Sequence, residues 1–137
     1  MRNLKICVHI PLYLETRKKK QLNNFNKVCS SFLKLSRKTE LFIHTNKKLK
    51  NKNKRINFIY HTFKNSHSFK LTWYCRNLME AQKDKFDIFI YCEDDILFTL
   101  KNFKYWLKYK DKCIRSNYNL GFLRVEVNKT DKKLYST

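Results

Sequence analysis

The sequence predicts an α/β fold built on a mostly parallel sheet with helices on both faces. Short apolar runs alternate with segments whose apolar residues recur every three or four positions. Strands that alternate with helices form parallel sheets whose two faces are covered. Of the 137 residues, 42% are hydrophobic, which suits one folded domain over 1–137 and argues against general disorder. The expected element order is β-α-β-β-α-β-α.

Four strands are predicted from short apolar runs, at 4–10, 41–44, 56–60 and 87–92. Because the run at 87–92 is almost unbroken in its apolar side chains, we expect that strand to be central in the sheet and buried on both faces. One more alternating pattern lies at 120–127, and the chain then ends in a polar tail.

Three helices are predicted from apolar residues spaced three and four apart. The first covers 17–35. Its apolar face consists of Leu22, Phe25, Val28, Phe32 and Leu35. The second is capped by Ser66 or Ser68 and ends near Gln82. Its buried side is expected to consist of Leu71, Tyr74, Cys75 and Leu78. The third covers 100–109.

The chain is strongly basic, with 31 Lys and Arg against 11 Asp and Glu and a net charge of +20. Such a charge attracts polyanions and anionic membranes, so peripheral membrane contact through the basic surface stays open. Residues with A/T-rich codons, such as Lys, Asn and Ile, are abundant, so the charge also fits a biased base composition. The lysine runs at 18–20 and 47–55 carry no interleaved aromatic residues, and we therefore do not expect a nucleic acid as the partner.

The cysteines are far apart in the sequence. They are Cys7, Cys29, Cys75, Cys92 and Cys113. None belongs to a CxxC pair or a Cys/His cluster, so the sequence predicts no zinc site. An odd, widely spaced set is typical of free buried thiols in a reducing compartment, and we expect a cytoplasmic protein. No signal peptide is recognised, and the apolar stretch at 4–14 is too short to span a bilayer.

Three of the eleven acidic residues are consecutive, Glu93, Asp94 and Asp95, and they directly follow the most apolar strand. Adjacent carboxylates repel one another unless a cation or hydrogen-bond donors compensate. Ligands of open α/β sheets bind at the carboxyl ends of the strands, where this cluster is expected to lie. Carboxylate oxygens suit Mg²⁺ or Mn²⁺, which often share their coordination with substrate phosphates. The structural alternative is an acidic turn paired with nearby lysines.

This part of the chain resembles a known family. The segment 91–96, Tyr-Cys-Glu-Asp-Asp-Ile, looks like the DXD-type motif of GT-A glycosyltransferases, many of which carry Glu-Asp-Asp at this place. The segments 71–78 and 86–90 are similar to the helix and strand that lead into that motif, and 6–10 matches the first strand of the nucleotide pocket. The resemblance covers roughly 4–127 and implies the Rossmann-like, nucleotide-sugar-binding half of a GT-A fold.

The resemblance also implies roles for individual residues. Asp95 would bind Mn²⁺ or Mg²⁺. Glu93, and with it Asp94, would contact the ribose of the nucleotide or the metal shell. Arg76 and Asn77 would help to hold the nucleotide or its phosphates, because a guanidinium binds phosphate oxygens through two donors at once. The structural alternative for Arg76 is an ordinary surface arginine.

The chain departs from the GT-A pattern after the acidic cluster, because only about forty residues follow where the acceptor-binding half is expected. Glu126 is the acid there in the most ordered context. It would be the catalytic base of an inverting transfer, or else a strand-edge residue paired with Arg124. The chain is accordingly a minimal enzyme, a fragment or a truncated reading frame. His9 ends the first strand near the expected base pocket, where we expect an ordinary buried histidine.

The leading functional hypothesis is metal-dependent transfer of a sugar from a nucleotide-sugar donor to a glycan, lipid or protein acceptor. One alternative is a non-catalytic relic that binds the nucleotide alone. Another is a metal-dependent nuclease or phosphoryl-transfer enzyme that uses the same carboxylates. The single glycine, Gly121, excludes a P-loop nucleotide triphosphatase.

Overall fold

The computed structural model describes residues 3–15, 19–50, 52–62, 69–128 and 130–136, which form two compact units, Met1–Lys101 and Asn102–Thr137. The elements, in chain order, are β1 (Lys5–Leu12), α1 (Lys19–Leu33), β2 (Lys38–Thr45), β3 (Ile56–Tyr60), α2 (Lys70–Ala81), β4 (Ile88–Tyr91), α3 (Leu100–Arg115), β5 (Val125–Val127) and β6 (Leu134–Ser136). Within the described residues, no helix is both long enough and apolar enough to cross a bilayer.

The first unit is built on a four-stranded, all-parallel sheet of order β3-β2-β1-β4. The chain moves from β1 to β2 in one direction across the sheet and from β3 to β4 in the other. Parallel crossovers are almost always right-handed, so these opposite directions place α1 and α2 on opposite faces. The predicted fold class is therefore confirmed: the protein has a Rossmann-like α/β fold.

One face of the sheet is aliphatic because apolar residues alternate along its two central strands. Ile6, Val8 and Ile10 of β1 are fully buried, and parallel pairing sets Leu41 and Ile43 of β2 beside the last two. The buried apolar face of α1 covers this side, with α1 packed against β2. Burying one such side chain stabilises the fold by about 1.5–3 kcal/mol. This layer holds most of the hydrophobic core of the first unit.

The opposite face, which α2 covers, has a different chemistry. The same alternation that points Val8 to the aliphatic side points Cys7 and His9 to this one. Gln82, just after the end of α2, hydrogen-bonds to His9 and so fixes which face the helix covers. Within α2, Leu71 and Cys75 are fully buried, as predicted. The expectation that Tyr74 is also buried is wrong, because its side chain is exposed, and Leu78 is only half-buried. The polar residues of this face form a cluster described below.

The expectation that the fourth strand is central and buried on both faces is wrong. β4 lies at the end of the described sheet and pairs only with β1 there. Ile88 and Ile90 are half-buried, and Tyr91 is exposed. An apolar run shows that the side chains on both faces of a strand are apolar. It does not show whether the strand has a neighbour on both of its edges. An edge strand lacks the neighbours that a second flanking strand would add, so its side chains keep part of their exposure.

Several element ends also differ from the prediction. α2 begins after Phe69, whose side chain makes no capping hydrogen bond, and the predicted caps Ser66 and Ser68 lie outside the described residues. α3 ends at Arg115, whereas the sequence predicted an end near 109. Just after the observed end of the helix, Asn117 takes a left-handed conformation with φ of 60°.

The second unit also contains a short hairpin that the sequence analysis missed. The pattern at 120–127 forms a strand only at its end, in β5, and the polar tail supplies β6 as its antiparallel partner. Within this unit, Tyr105 of α3 contacts Phe122 edge-on, with ring centroids 6.3 Å apart.

Candidate functional site

The acidic cluster lies where the topology of the first unit opens a crevice. From the carboxyl end of β1 the chain runs to β2, which flanks one edge of β1, while β4 flanks the other edge. Neighbouring strands whose connections run apart in this way define the switch point at which α/β sheets bind ligands. Glu93, Asp94 and Asp95 follow the end of β4 after one intervening residue, beside the carboxyl end of β1. The predicted position at the carboxyl edge is thus observed, although β4 is an edge strand.

Asp94 is held in place from the first turn of α1. The Nε2 atom of Gln21 donates to the backbone oxygen of Tyr13, at 3.0 Å, and to Oδ2 of Asp94, at 3.2 Å. One side chain therefore ties the loop after β1 to the loop after β4. Burial raises the pKa of the Asp94 carboxyl above its usual value, while the hydrogen bond from Gln21 opposes that shift.

Glu93 and Asp95 differ from Asp94 because both are exposed. Neither side chain makes a hydrogen bond or an ion pair with any residue that the structure describes. The alternative of an acidic turn neutralised by lysines is therefore not seen in the described part of the chain. The pKa of the neighbouring Cys92 thiol is raised to about 11, mainly by burial and further by the charges of Glu93 and Asp95.

Arg76 and Asn77 both lie on the exposed side of α2. The guanidinium of Arg76 lies over the ring of Trp73, with its Cζ 4.0 Å from the ring centroid. This is the surface packing expected of an exposed arginine. Among the described residues, no contact joins Arg76 or Asn77 to the three acids, so their proposed contacts with nucleotide remain predictions.

Glu126 lies on β5 of the second unit, opposite Tyr135 in the hairpin. Its Oε1 atom accepts a hydrogen bond from Nη2 of Arg124 at 2.9 Å, and both side chains are about half exposed. This is the strand-edge ion pair that the sequence analysis named as the alternative to a catalytic base. Exposed pairs of this kind contribute little to stability. The role of Glu126 as a base remains a prediction.

A hydrogen-bonded chain of histidines crosses the α2 face of the sheet and was not predicted. It joins His9 of β1, His44 of β2 and His61, which follows β3. Nδ1 of His9 lies 2.9 Å from Nε2 of His44, and Nδ1 of His44 lies 2.9 Å from Nε2 of His61. The rings of His44 and His61 are stacked, and Tyr74 of α2 stacks on His61 with centroids 4.7 Å apart. Three of the four histidines of the chain thus share one network.

The direction of these hydrogen bonds follows from the partner at one end. Nε2 of His9 lies 3.0 Å from Oε1 of Gln82, and an amide oxygen only accepts. His9 therefore carries its proton on Nε2, and its Nδ1 accepts from Nε2 of His44. By the same reasoning, Nδ1 of His44 accepts from Nε2 of His61. All three rings take the same tautomer, and donation runs from His61 through His44 to His9.

The three histidines are neutral at neutral pH. Burial lowers the pKa of His9 and of His61 below the usual value. The pKa of His44 is lowered to about 3, mainly by burial and further by repulsion from the other two histidines. A neutral imidazole keeps a lone pair that is able to bind a metal ion.

Cys75 of α2 lies beside the inner part of this chain. Ligand atoms of His9, His44 and Cys75 all lie within 4.8 Å of one another, and all three residues are buried, so the group could hold a metal ion. The expectation that no cysteine belongs to a Cys/His cluster is therefore wrong. The expectation rested on spacing along the sequence, whereas parallel strands and a crossover helix bring residues far apart in the chain together. The predicted free thiols are confirmed: the cysteines form no disulfide, and all but Cys113 are buried.

A basic cleft of about 570 Å³ lies at the opposite, amino edge of the sheet. Its basic lining residues are Lys5, Arg37, Lys38, Lys54, Arg55 and Lys85. Because Lys5 and Lys38 begin β1 and β2, this cleft is separated by the length of the sheet from the acidic cluster. The basic cleft is therefore not part of the predicted nucleotide site at the carboxyl edge.

Comparison of the chain with models of known protein families, with curated proteins and with solved structures finds no match. The assignment of a function therefore depends on the two side-chain groups of the first unit: the acids at the switch point between β1 and β4, and the buried histidine and cysteine cluster under α2.

Proposed function

We propose that the carboxyl edge between β1 and β4 binds a nucleoside diphosphate sugar together with Mg²⁺ or Mn²⁺, and that the protein transfers the sugar to an acceptor. The observation that carries this proposal is the position of the acidic cluster at the switch point of a Rossmann-like sheet. Ligands of such sheets enter that crevice, and a diphosphate needs a cation to offset its charge.

The cation would be held by Asp95 and Glu93. Both carboxylates are exposed and therefore accessible to an ion that keeps several water ligands. Asp94 suits a different role, because its carboxylate already accepts a hydrogen bond from Gln21. We assign Asp94 to holding the loop after β4 against the loop after β1, and not to binding the cation.

In the transfer itself, an acceptor hydroxyl attacks the anomeric carbon while the bond from that carbon to the diphosphate oxygen breaks. Asp95 and Glu93 would hold the cation, which when bound would stabilise the negative charge on the departing diphosphate. The hydroxyl proton passes to a base, for which Glu126 is the candidate in an inverting reaction. The exposed ion pair between Glu126 and Arg124 supports the alternative that the protein binds nucleotide without transferring sugar.

The test is calorimetric titration of the full chain with uridine and guanosine diphosphates, with Mn²⁺ and after chelation. We expect binding that needs the cation and that Asp95→Asn abolishes, because one charged oxygen ligand is lost. Asp84→Asn is the matched control, since Asp84 is an exposed acid in the turn after α2, and it should bind like the parent. Equal binding after chelation, or equal loss in the control, would reject the cation site.

Release of nucleoside diphosphate from nucleotide sugars then separates an enzyme from a binding protein. Release that requires the cation supports transfer or slow hydrolysis. Cation-dependent binding without release, across a panel of glycan, lipid and peptide acceptors, favours the non-catalytic alternative.

A further inference from the structure

We propose that the cluster under α2 is a zinc site, in which Nδ1 of His9, Nε2 of His44 and Sγ of Cys75 bind one ion. Two imidazole nitrogens and a thiolate are the donors that zinc prefers in proteins. This site is separate from the proposed magnesium or manganese site, which offers only carboxylate oxygens. It does not depend on the proposed function.

The distances in the cluster suit such an ion. Two nitrogens bound to one tetrahedral zinc ion lie about 3.3 Å apart, given zinc–nitrogen bonds of about 2.0 Å. Nδ1 of His9 and Nε2 of His44 are 2.9 Å apart, so the two nitrogens need to separate by only a few tenths of an ångström, while each ring turns to point its lone pair at the ion instead of at the other ring. The ligand atom of Cys75 lies within 4.8 Å of the histidine ligand atoms, so its sulfur must move closer, leave the oxygen of Leu71 to which it donates, and release its proton. Three protein ligands leave one position of a tetrahedral ion to water.

Both histidines already have the outer partners that metal-binding histidines require. The nitrogen of His9 that faces away from the ion, Nε2, lies 3.0 Å from Oε1 of Gln82. The corresponding nitrogen of His44, Nδ1, lies 2.9 Å from Nε2 of His61. Such partners fix the orientation and tautomer of a ligand ring, and their loss commonly weakens metal binding about 10–100-fold.

Zinc binding has a consequence that distinguishes it from a purely structural network. In the metal-free protein, His44 carries its proton on Nε2 and donates to His9. When Nε2 binds zinc, that proton must move to Nδ1, which then donates to Nε2 of His61. His61 in turn shifts its own proton to Nδ1. The ion therefore reverses the hydrogen bond between His44 and His61, while His9 keeps its proton on Nε2 towards Gln82.

The experiment uses the full chain, stripped with a chelator and titrated with Co²⁺ and then Zn²⁺. Cobalt bound to a thiolate gives a charge-transfer absorption that carboxylates do not produce, so the acids at 93–95 cannot imitate the signal. We expect one thiolate-bound Co²⁺ per chain, displaced by Zn²⁺, whatever the acids at 93–95 bind. Cys75→Ser should lose the charge-transfer band, and Cys29→Ser, a buried cysteine of α1 outside the cluster, should keep it.

Gln82→Met gives a graded check, because it removes the outer partner of His9 and leaves all three ligands. We expect a loss of zinc affinity of about 10–100-fold, smaller than the loss in Cys75→Ser. Should Cys75→Ser fail to fold, ¹⁵N spectra of the histidine rings in the parent protein decide the question. Movement of the His44 proton from Nε2 to Nδ1 on adding zinc supports the site. Unchanged histidine spectra, a parent protein without the thiolate band, or a Cys75→Ser protein that keeps the band would overturn it.

Discussion

Gln21 and Asp94 lie 73 positions apart in the chain and are joined by a hydrogen bond of 3.2 Å at the carboxyl edge of the sheet. The same Gln21 nitrogen also donates to the backbone oxygen of Tyr13. The bond therefore couples the first turn of α1 to the end of β4, across the crevice in which we place the nucleotide.

Gln21→Leu should destabilise the first unit by about 1–3 kcal/mol, because Asp94 and the Tyr13 oxygen lose a donor while still partly buried. Chemical denaturation followed by circular dichroism measures the effect. Asn24→Leu is the matched control, an exposed polar residue of the same helix, and should change stability by less than about 0.5 kcal/mol. Equal effects in the two variants would show that the Gln21 bonds add nothing.

The histidine chain leads to a second stability prediction. Lys83→Met should have almost no effect, because Lys83 is exposed and its ion pair with Glu80 is a surface pair. Gln82→Met changes the preceding residue, which is buried, and takes away the oxygen that accepts from His9. We expect a loss of about 1–3 kcal/mol in the metal-free protein, since a buried donor loses its acceptor. If Gln82→Met leaves the stability unchanged, the nearby Sγ of Cys7, 3.1 Å from Nε2 of His9, is a sufficient acceptor for the His9 proton.

Thiol reactivity should distinguish the cysteines sharply. Cys113 is the one that is not buried, and we expect it alone to react quickly in the native protein. Burial raises the pKa of the Cys29 thiol to about 12, so it stays protonated where an ordinary thiol ionises. The labelling rate of Cys29 should therefore stay low between pH 7 and 9. For an ordinary cysteine, the thiolate fraction rises about tenfold for each pH unit until the pH reaches the pKa of the thiol.

Mass spectrometry of timed labelling reactions measures these rates site by site. Cys113→Ser should remove the fast phase and leave the slow labelling unchanged. Fast labelling of Cys29 in folded protein would contradict its burial under the aliphatic face of the sheet.

The catalytic role of Glu126 has its own test, provided that transfer is observed. Glu126→Gln keeps the size of the side chain and removes its ability to accept a proton. If Glu126 is the base, we expect turnover to fall by about 10²–10⁴-fold while nucleotide binding stays unchanged. Arg124→Gln is the control, because it breaks the same ion pair and keeps the carboxylate. An equal, small effect of both changes would identify the pair as a surface contact.

The sequence was informative about the order of the strands and helices and about their apolar periodicity. It was much less informative about which residues lie next to each other in the fold. Alternation along β1 and the short apolar run at 41–44 located the first two strands, and the helical spacing of Leu71 and Cys75 identified part of the buried side of α2. Those signals also contain the elements of the metal-competent cluster, since His9 and His44 lie on strands and Cys75 on a buried helix face. What local pattern does not provide is the register. His9 lies opposite Phe42, and only that alignment places His44 one alternation further along the same face.

The acidic cluster shows the opposite case. Its position after an apolar strand was sufficient to place it at the carboxyl edge, because that edge follows from parallel strand direction alone. The exposure of β4 could not be anticipated, because the presence of a flanking strand depends on the whole fold. Asp94 is half-buried and accepts a hydrogen bond from Gln21, whereas Asp95 is exposed. A partner 73 positions away in the chain cannot be predicted from the local sequence pattern.

The end of α3 offers a last prediction, independent of any site. Asn117 has φ of 60°, and the backbone nitrogen of Tyr118 bonds to the carbonyl of Cys113 at 2.9 Å. This left-handed residue ends the helix, and asparagine and glycine tolerate that conformation best. Asn117→Val should destabilise the second unit by about 1–2 kcal/mol, because a β-branched side chain clashes with its own backbone there. Asn117→Gly should be neutral or slightly stabilising. The comparison is made by hydrogen exchange of the amides in the last turn of α3, where Asn117→Val should raise exchange and Asn117→Gly should not. If both variants exchange like the parent, the helix does not depend on Asn117 for its end.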